Sequence, residues 1–233
     1  MFKTNYTYSK VLDQNSQLDT AYSQNTASDA LNPYNLRLSK GPASFSLKHQ
    51  FNTNFSYQLP FGTGQRWGSG SSGIIRHLIS GWQWNGILTA QSGFPFSPTV
   101  GSNRSGSGDT GNPDVPNRNP AFSGPVILEN PNRWYDPNAF LLPTAGTFGN
   151  AGRNQFMGPG LTSLDTSLFK RIRINERWNL QFRAEAFNIL NHTTFATPTL
   201  GVFAGTNYSS SAALITRTAT TSRQIQFALK LLF

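Results

Sequence analysis

Cysteine is absent from this 233-residue sequence, and no apolar run approaches the ~20 residues that a transmembrane helix requires. Without cysteine, the chain can form neither a disulfide framework nor a thiolate metal site. Histidine is scarce as well: His49, His77 and His192 lie far apart and match no metalloenzyme spacing. These absences exclude a helical membrane protein and leave no predicted metal site.

Acidic residues are also few, ten against nineteen lysines and arginines, and they are dispersed. No pair has the sequence context of general acid–base catalysis, so we predict no catalytic residue and no enzyme activity. The glycine-rich stretches 68–73 and 101–111 lack the Lys-Ser/Thr ending of a phosphate-binding loop, and we expect no cofactor. Asp109, Asp114 and Asp136 could contribute to a calcium site, but solvated turn aspartates are the simpler interpretation.

The formal net charge of +9 raises the alternative of nucleic-acid binding. Proteins of that kind concentrate Lys and Arg on one helix or patch, often with aromatic residues between them. Here the basic residues are scattered, with small groups at 170–173 and around Arg177 and Arg183. We therefore predict no nucleic-acid partner.

What the sequence does contain is apolar–polar alternation with a period of two, the pattern of a β-strand with two unlike faces. In the clearest example, Phe45, Leu47, Phe51, Phe55 and Tyr57 fall on one side of a strand. Segments of this character cover 2–10, 44–59, 79–91, 164–174, 178–188 and 223–233. They predict an all-β fold.

The last segment is the most informative of these. One face carries Ile225, Phe227, Leu229, Leu231 and Phe233, and the other face is mainly polar. A membrane-spanning β-strand needs one face for lipid and one for a polar lumen. The terminal aromatic resembles the C-terminal signal that directs bacterial outer-membrane barrels to the barrel-assembly machinery. Taken alone, the segment would also suit a half-buried strand of a soluble sandwich.

The predicted connections have unequal lengths that follow a pattern. They cover 11–43, 60–78, 92–163, 175–177 and 189–222. If consecutive strands are antiparallel, the longest three fall on one side, as extracellular loops do in outer-membrane barrels with short periplasmic turns. We therefore predict an antiparallel up-and-down transmembrane β-barrel segment, about six strands of a larger barrel. In it, 92–163 is a long extracellular loop, and glycine-rich 68–73 is a flexible periplasmic turn.

Two groups of aromatic residues are candidate functional residues. The first group lies near strand ends, where amphipathic rings favour a membrane–water interface; it comprises Tyr57, Trp82, Trp84 and Trp178. The second lies in the long loop and offers possible ligand contacts; it comprises Trp134, Tyr135, Phe140 and Phe148. On the polar strand faces, Arg183 and Glu185 are predicted to join a ladder of ion pairs.

Several segments together resemble the C-terminal portion of TonB-dependent outer-membrane receptors, particularly the Oar-like group. They include Gly81-Trp-Gln-Trp-Asn-Gly and Arg183-Ala-Glu-Ala-Phe-Asn, with further stretches at 134–140, 146–154 and 164–171. The resemblance implies a barrel of about 22 strands around an N-terminal plug. It also implies a bacterial outer-membrane location, energy supplied through TonB, and import of a scarce nutrient.

The chain departs from that pattern, because it contains no recognisable signal peptide, TonB-box segment or plug. We therefore expect residues 1–233 to be the C-terminal part of such a receptor's barrel domain. Its partners would be outer-membrane lipid, the barrel-assembly machinery, and the remaining barrel and plug through which TonB would act. The alternative is a secreted or surface β-sandwich that binds glycans through its aromatic-rich loops.

Overall fold

The computed structural model describes residues 1–16, 31–32, 34–108 and 114–233. Its main element is a six-stranded sheet in which the strands follow chain order and each is antiparallel to the next. The strands are β1 (Phe2–Tyr8), β2 (His49–Gln58), β3 (Trp82–Gln91), β4 (Leu161–Arg173), β5 (Asn179–Phe187) and β6 (Gln224–Leu232). The predicted all-β, antiparallel fold is confirmed. Each predicted strand segment overlaps one of these strands, with ends that differ by a few residues.

The sheet is open within the part of the chain that the structure describes. β1 pairs only with β2, and β6 pairs only with β5. The two edge strands do not pair with each other, so these strands form no closed barrel. Each edge therefore keeps a row of backbone N–H and C=O groups available for another strand.

One face of the sheet is apolar across its whole width. The register aligns Tyr57, Trp84, Leu168, Ala184 and Phe227 in a single row from β2 to β6. Because side chains alternate between faces along each strand, the residues two positions away fall on this same face. The alternation in the sequence thus becomes one continuous apolar surface.

The opposite face is polar. The row next to the apolar one aligns Ser56, Asn85, Ser167, Glu185 and Gln226. Direct cross-strand neighbours of this kind lie close enough for side-chain hydrogen bonds. The sheet is therefore amphipathic, because the register aligns apolar side chains on one face and polar side chains on the other.

The buried core of the protein lies in the connections rather than against the sheet. Its members are mainly aromatic and small apolar residues: Phe96, Val100, Trp134, Tyr135, Ala139, Phe140, Ala151, Phe156, Val202, Phe203 and Ala213. By contrast, Phe227 and Leu229 on the apolar face of β6 are 71% and 67% exposed. Among the described residues, no helix is long and apolar enough to cross a membrane.

The connections carry short elements. These are the helix α1 (Gly73–Ile79) and the 3₁₀ turns Leu36–Ser39 and Pro137–Ala139. Short antiparallel pairs join Leu12–Asp13 to Gly41–Pro42, Pro95–Phe96 to Phe156–Met157, Asn117–Arg118 to Phe140–Leu141, Ile127–Asn130 to Arg133–Tyr135, and Phe203–Ala204 to Asn207–Tyr208. The predicted flexible turn at 68–73 thus leads into a helix that the sequence analysis missed.

Replacing Phe140 by alanine should destabilise the connections strongly. The Phe140 ring is fully buried and meets Tyr135 and Phe156 edge to face, with centroids 5.9 and 5.5 Å away. Losing it should lower the free energy of unfolding by about 3–5 kcal/mol. Leu141→Ala is the matched control, because Leu141 directly follows Phe140 and its side chain is exposed. Denaturant unfolding in detergent measures both variants, and equal losses would contradict the assignment of Phe140 to the core.

Candidate functional site

The three long connections all leave the sheet at the same end. They cover residues 9–48, 92–160 and 188–223, whereas 59–81 and 174–178 lie at the opposite end. This follows from the antiparallel order, because every second connection must return on the same side. We call the described residues of the three long connections the loop assembly.

Tyr135 joins two of these connections at the centre of the loop assembly. Its ring centroid lies 5.7 Å from that of Phe96, and its hydroxyl donates to the carbonyls of Thr199 and Leu200 at 2.9 and 3.1 Å. Burial raises the pKa of the Tyr135 hydroxyl far above its usual value, and a backbone hydrogen bond from Ala213 offsets this only in part. The hydroxyl therefore stays protonated and acts as a donor.

Three of the four predicted ligand-contact aromatics lie inside this core. Trp134, Tyr135 and Phe140 are buried, and the indole N–H of Trp134 donates to the Met157 carbonyl at 3.0 Å. In this conformation they hold the loop assembly together and present no free ring face to a ligand. Phe148 is half-buried and lies outside the buried cluster, so ligand contact there stays a prediction.

Arg153 and Asn154 fasten the first long connection to the second. The buried Arg153 guanidinium donates to the Asp13 carboxylate and to the Ser16 hydroxyl. The Asn154 amide donates to the Pro42 carbonyl at 2.8 Å. Gly41 permits this approach, because a Cβ there would lie 2.3 Å from the Arg153 carbonyl oxygen. No local pattern in the sequence predicts this junction, although Arg153 and Asn154 belong to one of the stretches that carried the resemblance.

Asp114 is not the solvated turn aspartate that the sequence analysis predicted. It is only 1% exposed and accepts hydrogen bonds from the backbone N–H and the hydroxyl of Ser105. Asp136 accepts from the Asn138 N–H and pairs with Arg133 at 2.6 Å, while Asp109 lies outside the described residues. Throughout the described chain, no group of three or more His, Asp or Glu side chains could hold a metal ion. Asp114 and Asp136 therefore stabilise the local conformation of the loop through these contacts.

The polar face of the sheet contains a shallow groove of about 350 Å³. Its polar lining comes from the four consecutive strands β2 to β5 and comprises Asn54, Asn85, Asp165, Ser167 and Glu185. Amide, hydroxyl and carboxylate groups give it both donors and acceptors. Phe55, Ile87 and Phe187 also line the groove, so it suits a ligand or a protein surface that has both polar and apolar groups.

Neighbouring side chains on the polar face are joined by hydrogen bonds of amide and hydroxyl groups rather than by ion pairs. The Gln83 amide donates to the Ser56 hydroxyl and to the Asn85 carbonyl oxygen, both at 2.8 Å. The network is mostly uncharged because Asn, Gln and Ser supply both donors and acceptors.

The predicted ion-pair ladder is wrong for Arg183 and Glu185. Glu185 accepts from the Gln226 amide at 2.6 Å instead. Arg183 donates to Gln181 at 3.2 Å, and its guanidinium lies 4.9 Å from the centroid of the Phe169 ring. The two side chains share a face but take different partners on either side of β5.

Most of the predicted interface aromatics border the apolar face at the short-connection end. Tyr57 lies near the end of β2, Trp82 and Trp84 lie at the start of β3, and Trp178 directly precedes β5. The ring of Trp178 packs on that of Phe233 with centroids 5.5 Å apart. This end of the face therefore has an aromatic border.

At the opposite end of the apolar face, Tyr6 and Tyr8 lie beside His49. The Tyr6 hydroxyl and His49 Nδ1 are 2.9 Å apart, and the rings of Tyr8 and His49 are separated by 5.3 Å. At this end, the amphipathic rings on the apolar face are those of β1 and β2. His49 is the first residue of β2.

The predicted assembly-signal residues lie along the outer edge strand. Ile225, Phe227, Leu229 and Leu231 are all exposed on one face of β6, and Phe233 follows directly after it. None of them joins the buried core. Their common orientation agrees with the alternation from which they were predicted.

An antiparallel sheet that has one apolar and one polar face, with aromatic side chains near the ends of strands on the apolar face, has the strand arrangement of outer-membrane β-barrels. The family model described as "Outer membrane beta barrel domain" matches residues 1–226, and the chain belongs to this family. This membership points to the bacterial outer membrane as its location. Searches of curated proteins and of solved structures each returned no match.

Replacing Arg153 by methionine should loosen the loop assembly. Asp13 would lose its cationic partner in a largely buried position, a change that costs on the order of 3 kcal/mol. Chymotrypsin should then cleave within 92–160 roughly a hundredfold faster, because cleavage follows the population of the open form.

Arg133→Met is the matched control for this variant. It removes an exposed pair with Asp136, and such pairs contribute about 1 kcal/mol or less. Equal cleavage rates in the two variants would show that Arg153 does not hold the connections together.

Proposed function

We propose that this chain forms part of the barrel of an energised outer-membrane transporter, a TonB-dependent receptor of the Oar-like kind. The observation that carries the proposal is the amphipathic six-stranded sheet, whose three long connections fold together at one end. The transported molecule would be a scarce nutrient. In this proposal the chain binds and conducts its ligand and catalyses no reaction.

The apolar face would meet membrane lipid. Side chains such as Phe227 and Leu229 are exposed in water but would be buried against acyl chains, and each large apolar side chain gains about 1.5–3 kcal/mol on such transfer. The border rings of Tyr57, Trp84 and Trp178 would then lie at the level of the lipid headgroups.

The open edges of the sheet support the proposal that more strands complete the barrel. In hydrocarbon, each unpaired backbone N–H or C=O group costs several kcal/mol, so β1 and β6 need further partners. We propose that additional strands of the parent receptor supply them and that residues 1–233 form the C-terminal part of its barrel. The groove on the polar face of the sheet would face the lumen, where a plug or a ligand could contact both its polar and its apolar side chains.

The loop assembly would lie outside the cell in this arrangement. Outer-membrane barrels keep their long loops on that side and their short turns in the periplasm. Residues 92–160 would then contribute to the outer entrance, with Phe148 as a remaining candidate for ligand contact. TonB would act from the periplasm through the plug.

The alternative, a soluble β-sandwich that binds glycans, is not favoured. A sandwich packs two sheets face to face around a shared core. Here the apolar face of the six-stranded sheet is uncovered, and the buried core lies in the loop assembly instead. The arrangement lacks the inter-sheet core that this alternative requires among the described residues.

Uptake in the native bacterium tests the transport proposal. Deleting the gene should lower accumulation of one scarce nutrient, and dissipating the proton-motive force with a protonophore should abolish the difference between strains. Growth on a panel of limiting nutrients identifies the compound, and radiolabelled uptake measures it. Uptake that depends on the gene but survives the protonophore would indicate a passive pore and contradict the proposal.

Removing the terminal aromatic tests the assembly signal. Phe233 packs on Trp178 beside the edge strand, and its deletion from the full-length protein should block insertion into the outer membrane. Phe233→Trp keeps an aromatic terminus and should insert normally. The amount of protein in purified outer membranes measures both variants. Normal insertion without Phe233 would count against the signal.

A further inference from the structure

The helix α1 lies in the short connection 59–81 and is amphipathic despite its length. At 100° per residue, Ile74, Ile75 and Leu78 fall on one side, whereas Arg76 and His77 fall on the other. The three aliphatic side chains are 78%, 61% and 62% exposed. No residue of α1 is buried, so the apolar side of this helix has no protein partner within the described chain.

Lys170 and Trp82 fix the end of α1 against the apolar side of the sheet. They face each other across β4 and β3 on the apolar face, and the Lys170 ammonium lies 4.6 Å from the centroid of the Trp82 ring. Lys170 Nζ donates to the carbonyls of Leu78 and Ser80, both at 2.8 Å, and the Trp82 indole N–H also donates to Leu78.

These bonds satisfy carbonyls that a helix end leaves without partners, and they place a positive charge at the negative end of the helix. They also explain how a lysine is accommodated on an apolar face. Lys170 and Trp82 thus join the end of α1 to the apolar face of the sheet.

The charge of this connection favours an anionic partner. Residues 59–81 contain Arg66, Arg76 and His77 and no acidic residue. Within the described chain, ion pairs form only at Arg133–Asp136 and Arg153–Asp13, so these basic groups have no acidic partner. The Arg66 guanidinium lies 5.5 Å from the centroid of the exposed Trp67 ring, which places an aromatic and a cation together.

We propose that α1 is an interfacial anchor that binds the phospholipid leaflet at the short-connection end of the sheet and prefers anionic headgroups. Ile74, Ile75 and Leu78 enter the boundary between headgroups and acyl chains, while Arg66 and Arg76 contact lipid phosphates. Helices with this division of residues lie in the plane of a membrane interface. The proposal depends on the outer-membrane location of the sheet and holds whether or not the protein transports a nutrient.

Residues 1–233 contain no cysteine, which allows a direct test with single spin labels placed in this part of the complete barrel, after any cysteine elsewhere in the parent protein is replaced by serine. Nitroxides are attached to Ile75→Cys on the apolar side of α1 and to His77→Cys on its basic side. The protein is reconstituted in vesicles of phosphatidylethanolamine and phosphatidylglycerol. We expect the label at 75 to collide mainly with oxygen, which concentrates in lipid, and the label at 77 to collide mainly with a water-soluble nickel chelate.

A label at Leu229→Cys, on the apolar face of β6, serves as the reference for lipid contact. If that label is in lipid and the label at 75 is as open to the chelate as the label at 77, the proposal is overturned. A soluble protein partner for α1 would give this second result. If the label at 229 is also open to the chelate, the sheet is not embedded and the proposal fails with it.

Removing the arginines tests the preference for anionic lipid. Each basic residue near an anionic surface changes membrane attachment roughly fivefold, from about 1 kcal/mol per charge. Arg66→Gln with Arg76→Gln should therefore release the label at 75 towards water in phosphatidylglycerol vesicles, while the label at 229 stays in lipid. An unchanged position of the label at 75 would overturn the anionic preference.

Discussion

The antiparallel register of the six strands is the constraint on which the rest of the structure depends. It aligns Tyr57, Trp84, Leu168, Ala184 and Phe227 in one row and a fully polar row beside it. A slip of one residue in any ladder would exchange the two faces of every strand beyond it. Because the register is kept across all five ladders, a chain with only 37% hydrophobic residues still forms a continuous apolar surface.

An apolar face turned outwards leaves the sheet without an internal core, and the loop assembly supplies one elsewhere. Its aromatic rings surround Tyr135, whose hydroxyl joins two connections, and Arg153 ties the third connection to them. Buried polar groups of this kind stabilise only when they are paired, and a lost partner is costly. The long connections are therefore a folded unit that fixes the shape of one end of the sheet.

Polar side chains find their hydrogen-bond partners in different ways on the two faces of the sheet. On the polar face, amides and hydroxyls such as those of Gln83 and Ser56 bond to one another, which limits the number of buried charges. On the apolar face, Lys170 is accommodated because helix carbonyls and the Trp82 ring surround its ammonium. One charged residue thus couples the sheet to the end of α1.

The sequence by itself determined the strands, their two faces and the positions of the border aromatics. These follow from alternation within ten or so residues, a local property that the β-backbone converts directly into geometry. Only the tertiary structure decided which aromatics are buried, because an exposed and a buried Trp134 have the same sequence signature.

The same limit applies to the polar contacts. Arg153 hydrogen-bonds to Asp13, which lies 140 residues away in the sequence. Asp114 is buried in an irregular loop, where no periodic pattern of residues indicates burial. The helix α1 was missed because seven residues are too few for periodicity to distinguish it from the adjoining strand, and its end is fixed by Lys170 from a distant strand. Contacts between residues far apart in sequence depend on how the connections fold together, and local patterns do not record that.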